Sequence, residues 1–208
     1  MHRERGTEKM GEELSRSFLR EKIGIKSRKV LDALCAQAMV WEADRGEMII
    51  HEGQLREEIS WLIDGATKAY TIDQEGREIV HCLDYSPDFT APLIMGADLR
   101  PGAREKCNIV AMKKSLILSL PYAFVLQQLK DEKEVRAYAF EQMRITMKVW
   151  IEIDALLRTY DAKKRISWFW ERNPNLPDCF PNKDIASYLK LTPETYSRIM
   201  RQLYKSDG

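Results

Sequence analysis

The segment richest in usable chemistry is 182–205, NKDIASYLKLTPETYSRIMRQLYK. Ile185 and Leu189 stand one helical turn apart, and Tyr196, Ile199, Met200 and Leu203 repeat at helical spacing. Two short helices with facing apolar stripes follow. Ala186 leaves room for one to cross the other. Lys190, Leu191 and Thr192 make the turn, with Leu191 filling its angle. Thr192 suits the N-cap of the second helix, and Pro193 suits its first position, where a missing N–H costs nothing. The residues left facing outward are Thr192, Glu194, Thr195, Ser197, Arg198 and Arg201, with Lys183 and Lys190 nearby. An Arg on such a helix can pair bidentately with guanine, and a Glu can accept from a cytosine amino group. Hydroxyls and lysines can hold phosphates. This is helix-turn-helix logic, and it nominates double-stranded DNA as the partner. An ordinary helical hairpin with solvated charges is the blander reading. It does not account for inward, turn and outward positions agreeing together.

The charge distribution points the same way. The 208 residues carry 33 Lys+Arg and 32 Asp+Glu, for a net charge of +1. Residues 158–208 hold 10 of those cations and 6 of the acids, a net of +4, which leaves residues 1–157 at −3. A basic end on an acidic body is expected where the end alone meets a polyanion.

Other chemistries find little support. Cys35, Cys82, Cys107 and Cys179 form no CxxC pair, and His2, His51 and His81 form no HxH or HExxH pair, so no metal site is expected. His81 beside Cys82 suggests haem ligation, but neighbours on a strand point to opposite faces. No nucleophile–base set or P-loop is visible, so no catalytic residue is assigned, no cofactor is identified and no enzyme is expected. No uncharged stretch is long enough to span a bilayer, and MHRERGTEKM opens the chain without an apolar block behind it. A cytoplasmic protein without membrane contact is the expectation.

The elements that must position the C-terminal segment also leave a pattern. Leu14, Phe18 and Leu19, then Val30, Leu31, Leu34, Ala38 and Met39, predict two short N-terminal helices. Short apolar runs follow at 48–50, 61–63, 69–72, 79–83, 108–112 and 116–120, punctuated by Gly46, Gly53, Gly65 and Gly76. That spacing predicts an antiparallel sandwich or roll, with DQEG at 73–76 as a hairpin turn. Pro121 opens a short helix over about 121–129. A long helix over 131–159 comes next, with Asp131, Glu132 and Glu134 at its positive end. Met143, Met147 and Trp150 form one stripe of it, and Ile145, Val149, Ile153 and Leu156 form another. Two opposed stripes need two coverings. We assign the first to the chain's own roll, and the second, Ile145, Val149, Ile153 and Leu156, to a homodimer interface.

The order roll, long helix, helix-turn-helix, together with IASYLKLTPETYSRIMRQL, resembles the Crp/Fnr superfamily of bacterial transcription regulators, in a form similar to its Bacteroidetes variants. RGEMIIHEG, WLIDGATKAY and DQEGREIVHCL resemble that family's cyclic-nucleotide-binding-like roll, so the likeness covers about 40–205. It implies an α+β fold with three parts. Residues 1–130 would be N-terminal helices and an antiparallel β-roll (double-stranded β-helix), 131–159 a dimerisation helix, and 160–208 a helix-turn-helix domain. It further implies a homodimeric regulator reading a near-palindromic operator, with RNA polymerase as a further partner. Glu194 and Arg198 fall on the family's base-contacting positions, and Thr192 and Thr195 on or near its phosphate contacts.

Three departures qualify the likeness. Pro193 replaces a basic residue often found in the family. Where cyclic-AMP binders carry Gly-Glu and Arg-Ser/Thr, this chain reads Ala91-Pro92 and Arg104-Glu105, so cyclic AMP is not the expected effector. A pocket for an unknown small-molecule effector is expected around Asp88, Phe89, Thr90, Ala91, Arg104 and Lys106. Finally, Ser206-Asp207-Gly208 are too short for the family's wing, which is expected to be truncated. The alternative is a β-roll sensor or scaffold whose C-terminal helices bind a protein partner.

Overall fold

The structure, a computed structural model, describes residues 11–86, 91–93 and 99–206. A first helix, α1, covers 11–22 and closes in a π-helical turn at Phe18–Lys22. The second, α2, spans Arg28–Cys35, and its N-cap Ser27 accepts a hydrogen bond from Val30 N at 3.4 Å. Helical spacing had carried α2 on to Ala38 and Met39. The chain instead leaves the helix at Ala36, and Met39 begins a strand. The pairing of Met39–Ala43 with Ser115–Ser119 overrides the local helical pattern.

Seven strands follow: β1 Met39–Ala43, β2 Met48–Ile50, β3 Glu58–Asp64, β4 Ala66–Ile72, β5 Glu78–Tyr85, β6 Asn108–Ala111 and β7 Ser115–Pro121. They form two antiparallel sheets, ordered β1-β7-β3 and β2-β6-β4-β5. Between β3 and β4 the chain turns at Gly65, whose φ is +119°. A Cβ there would lie 2.2 Å from Ser115 Oγ, so both the angle and the space require glycine. The β4–β5 hairpin closes as expected. Asp73 Oδ1 accepts from Glu75 N and Arg77 N, and Gly76 has φ +79°.

Helix α3 spans Tyr122–Asp131, with Pro121 as its N-cap residue. Glu132 is extended, and α4 then runs Lys133–Thr159 over 27 residues, roughly 40 Å at 1.5 Å per residue. Tyr160 is extended again. The C-terminal part holds α5 Ala162–Arg172, α6 Asn182–Tyr188 and α7 Pro193–Ser206. Among the described residues no helix is long and apolar enough to cross a membrane.

Three apolar clusters hold these elements. One joins α1 and α2 to β3, β7, α3 and Val135 of α4. A second fills the roll around Leu62, Leu93, Ile109 and Ile117. The third joins α5, α6 and α7 to Ala66, Leu83, Tyr85 and Met112 of the roll. One buried ion pair stands in the roll. Arg56 Nε and Nη2 donate to the two oxygens of Glu105 at 2.8 and 3.0 Å, and the guanidinium lies 5.5 Å above the Tyr122 ring. The bidentate geometry and the ring offset the cost of burying both charges.

Candidate nucleic-acid interface and the cavity beside the roll

The turn between α6 and α7 has the expected chemistry. Leu189 N and Leu191 N donate to Ile185 O and Ala186 O, and Lys190 takes a left-handed φ of 52°. Thr192 Oγ1 caps α7 by accepting from Thr195 N at 3.2 Å. Ile185, Ala186, Leu189, Tyr196 and Ile199 are buried together. Trp170 of α5 donates its indole N–H to the Tyr196 hydroxyl at 3.2 Å. The second helix is thereby fixed in rotation.

That rotation leaves Thr192, Glu194, Arg198 and Arg201 exposed, and Thr195 and Ser197 half-buried. Arg201 Nε donates back to Ser197 O at 3.3 Å. Among the described residues no hydrogen bond or ion pair engages Arg198. Lys183 and Lys190 are exposed, at the start of α6 and in the turn. Glu194, Arg198 and Arg201 are spaced by four and three residues, so they share one edge of α7. Ser197, three residues after Glu194 and four before Arg201, borders that edge.

Sequence reasoning missed how this unit is anchored. Arg165 of α5 donates to Tyr160 O at 2.9 Å, Leu157 O at 2.7 Å and Leu189 O at 3.3 Å. One guanidinium thus satisfies carbonyls at the C-terminal ends of α4 and α6. On the roll side, Lys68 Nζ of β4 lies 2.6 Å from Glu78 of β5 and 3.2 Å from Asp184 of α6. Both Lys68 and Asp184 are buried. Burial alone would lower the Lys68 pKa, but the Glu78 hydrogen bond and the Asp184 charge outweigh it and raise the ammonium above its usual range. Ser187 accepts from Val80 N at 3.0 Å and donates to Glu78 O at 3.2 Å. An Asp two residues into a helix usually reads as macrodipole chemistry. Only the fold brings Lys68 to it.

On α4 residues of both stripes, Ile145 and Val149 as well as Met143, Met147 and Trp150, face a cavity beside the roll and stay at least 40% exposed. Leu156 and Val135 are buried within their own protomer. Trp61 of β3 donates its indole N–H to the Tyr138 hydroxyl at 2.7 Å and sets the helix's rotation. Ile153, half-buried, follows the same phase. Leu156 is therefore unavailable to a partner. The most exposed apolar side chains of α4 are Phe140, Met147 and Ile151, at 70%, 63% and 64%, and of these only Phe140 and Ile151 lie off the cavity. Spacing revealed two stripes but not that both border the cavity.

The cavity has a volume of about 900 Å³ and lies between the roll and α4. Ala91 and Lys106 line it. Arg104 does not: it is exposed, and its guanidinium donates to Gly53 O at 2.7 Å. Asp88, Phe89 and Thr90 lie outside the described residues. Glu105, which stands where cyclic-AMP binders carry Ser or Thr, is committed to Arg56. A carboxylate the sequence reading passed over, Asp84 of β5, lines the cavity instead, and burial pushes its pKa up to about 7. Cys82 also lines the cavity, with its thiol raised well above its ordinary range by burial, then by Asp84 and Cys107. His81, next in sequence, bonds Thr71 at 2.9 Å instead. All four cysteines are free, and no group of three or more His, Cys, Asp or Glu among the described residues could hold a metal ion.

Comparison with known proteins places this architecture. The chain is 23% identical over 177 residues to the fumarate and nitrate reduction regulatory protein of Vibrio cholerae, covering 78% of this chain and 68% of that one. It superposes on FixK2 of Bradyrhizobium japonicum with a TM-score of 0.70 at 18% identity, over 82% and 86% of the two chains. A Crp/Fnr-family regulator of Eubacterium rectale gives 0.68 at 16% identity, over 87% and 85%. No family model matches. The chain has the fold of the Crp/Fnr regulators, a roll followed by a long helix and a helix-turn-helix, and its curated relative is a regulator of that type.

Proposed function

We propose that this chain is a DNA-binding transcription regulator of the Crp/Fnr type, a homodimer that reads a near-palindromic operator and meets RNA polymerase beside it. The observation that carries the reading is the α7 edge of Glu194, Arg198 and Arg201, exposed on a helix capped by Thr192 and locked by Tyr196. Arg198 and Glu194 would read base edges. Thr192, Thr195, Lys183 and Lys190 would hold phosphates, and Ser197 and Arg201 would flank them. The dimer would form through Phe140, Met147 and Ile151, an apolar stripe too large for water. The division into 1–130, 131–159 and 160–208 then corresponds to sensing, dimerisation and DNA binding. In a two-fold dimer the recognition helices would sit about 34 Å apart, one turn of DNA.

Duplex binding measured over a salt series tests this. The affinity should fall steeply with salt, since phosphate contacts release counterions. Arg198→Ala should lose about 1–3 kcal/mol on the selected operator while affinity for random duplex holds. Lys190→Ala should weaken both DNAs alike and lower the salt slope by about one. Equal losses for Arg198→Ala would make that residue a phosphate contact. No duplex binding at low salt would favour a protein partner for the C-terminal helices. Met147→Glu with Ile151→Glu should sediment as a monomer, and an unchanged dimer would refute the assigned face.

A further inference from the structure

The cavity beside the roll has an apolar wall and a polar floor. Its walls include Trp61, Leu93, Ile109, Leu120 and Val149. Its floor is the inner face of the β4–β5 pair. Thr67 lies directly opposite Asp84, and Ala69 opposite Cys82, so all four side chains project to the same side of the sheet. Two polar groups of that sheet face lack partners among the described residues, Asp84 on the cavity and Thr67 buried beside it. Thr67 is fully buried, and its hydroxyl has no hydrogen-bond partner. Among the described residues no hydrogen bond or ion pair reaches the Asp84 carboxylate. Elsewhere the roll satisfies its buried charges, as at Arg56–Glu105. An unpaired carboxylate on the wall of an apolar cavity calls for an occupant that pairs it. Lys106, the cation on the cavity wall, is exposed and stands at the rim.

We propose that this cavity binds a small apolar molecule carrying a cationic or N–H donor head, with the head on Asp84 and the apolar body against Trp61, Leu93 and Val149. A phosphate or carboxylate head would meet a like charge on the floor. A second copy of the chain is a poorer occupant. The exposed apolar residues that it would bring from outside the cavity, Phe140 and Ile151, supply no donor for Asp84.

The test uses the full chain without DNA, so its result is separate from that of the DNA-binding measurements. Decylamine, decanol and decanoic acid, each below its aggregation limit, are titrated calorimetrically at pH 8. Decylamine should bind at least ten-fold tighter than decanoic acid. Asp84→Asn should bring the two within about three-fold while decanol binding changes little. Gln142→Trp, which fills the cavity from α4, should weaken all three at least ten-fold. The proposal is overturned if decanoic acid binds as tightly as decylamine, or if the preference survives Asp84→Asn. It also falls if cyclic AMP displaces decylamine, which would mark a nucleotide site. Binding by a Phe140→Glu, Ile151→Glu variant but not by the wild-type chain would mean that a second copy fills the cavity, and would overturn it as well.

Discussion

The β4–β5 pair presents two faces built on opposite principles. Its outer face, through Lys68, Glu78 and Val80, is engaged by Asp184 and Ser187 of α6. Its inner face borders a cavity through Cys82 and Asp84, and among the described residues it leaves the Thr67 hydroxyl and the Asp84 carboxylate unpaired. Adjacent residues of one strand, Thr67 and Lys68, belong to these two regimes. The lesson is mechanical. Strand alternation puts whatever occupies the cavity one backbone away from the contact that holds the helix-turn-helix. A shift of β4 or β5 toward an occupant would move Lys68 and Val80 directly. The outer face is a latch, and the inner face is where a force on it can be applied.

The largest effect should come from breaking the latch. Lys68→Met leaves the Asp184 carboxylate buried without its cation, which costs about 3–5 kcal/mol. For a chain of this size that lowers the Tm by roughly 10 °C. Pairing it with Asp184→Leu removes the stranded charge and should recover most of the loss, because apolar replacements of buried ion pairs are often neutral. Thermal unfolding of the single and double variants measures both. A single variant within 1 kcal/mol of wild type would show that the outer face is held by its apolar contacts instead.

The inner face should respond in the opposite direction. Burial raises the Asp84 carboxyl from 3.8 to about 7, so the folded chain holds a proton that the unfolded chain releases. Stability should therefore fall as pH rises from about 4 to 7 and stay reduced above that. Asp84→Asn removes this dependence. The two proteins should unfold alike near pH 4. Above pH 7 the variant should be more stable, by a few kcal/mol at most and by less if water solvates the carboxylate. Unfolding scans between pH 4 and 9 decide the matter, and parallel curves would mean that Asp84 is already satisfied in solution.

The two faces were not equally legible. The six strands with apolar runs, the DQEG turn, the long helix and the capped turn at Lys190–Thr192 rest on local pattern, and local pattern is what a sequence records. The outward set on α7 was readable for the same reason, since Tyr196 and Ile199 fix the phase of Arg198. Met39 misled because the helical series Leu31, Leu34 and Ala38 runs up to it and competes with its pairing to Ser119, 80 residues away. On α4 the two stripes were legible, but spacing does not show that Leu156 is buried within its own protomer or that both stripes border the cavity. Asp84 and Lys68 look alike in sequence, single charges within apolar strands. Only strand registry shows that Lys68 meets Asp184, while Asp84 meets a cavity. Arg104 was judged by its place in a family pattern, and a backbone carbonyl at Gly53 had claimed it.

The smallest predicted effect tests how finely the latch is made. Ser187 Oγ accepts from Val80 N and donates to Glu78 O, spanning α6 and the edge strand β5. Val80 N is a β5 donor turned away from β4, so without Ser187 it must find water. Ser187 itself is half-buried, which lets water substitute in part. Ser187→Ala should thus cost about 1 kcal/mol, well below the loss at Lys68. Ser187→Thr keeps the hydroxyl and should hold most of the stability if its methyl finds room. Hydrogen exchange at the Val80 amide is the sharper readout, because that one donor loses its partner. Faster exchange at Val80, with Leu83 unchanged, would locate the loss at the latch. A uniform increase across β4 and β5 would instead mean that Ser187→Ala loosens the whole sheet, and the two faces could not then be treated as separate.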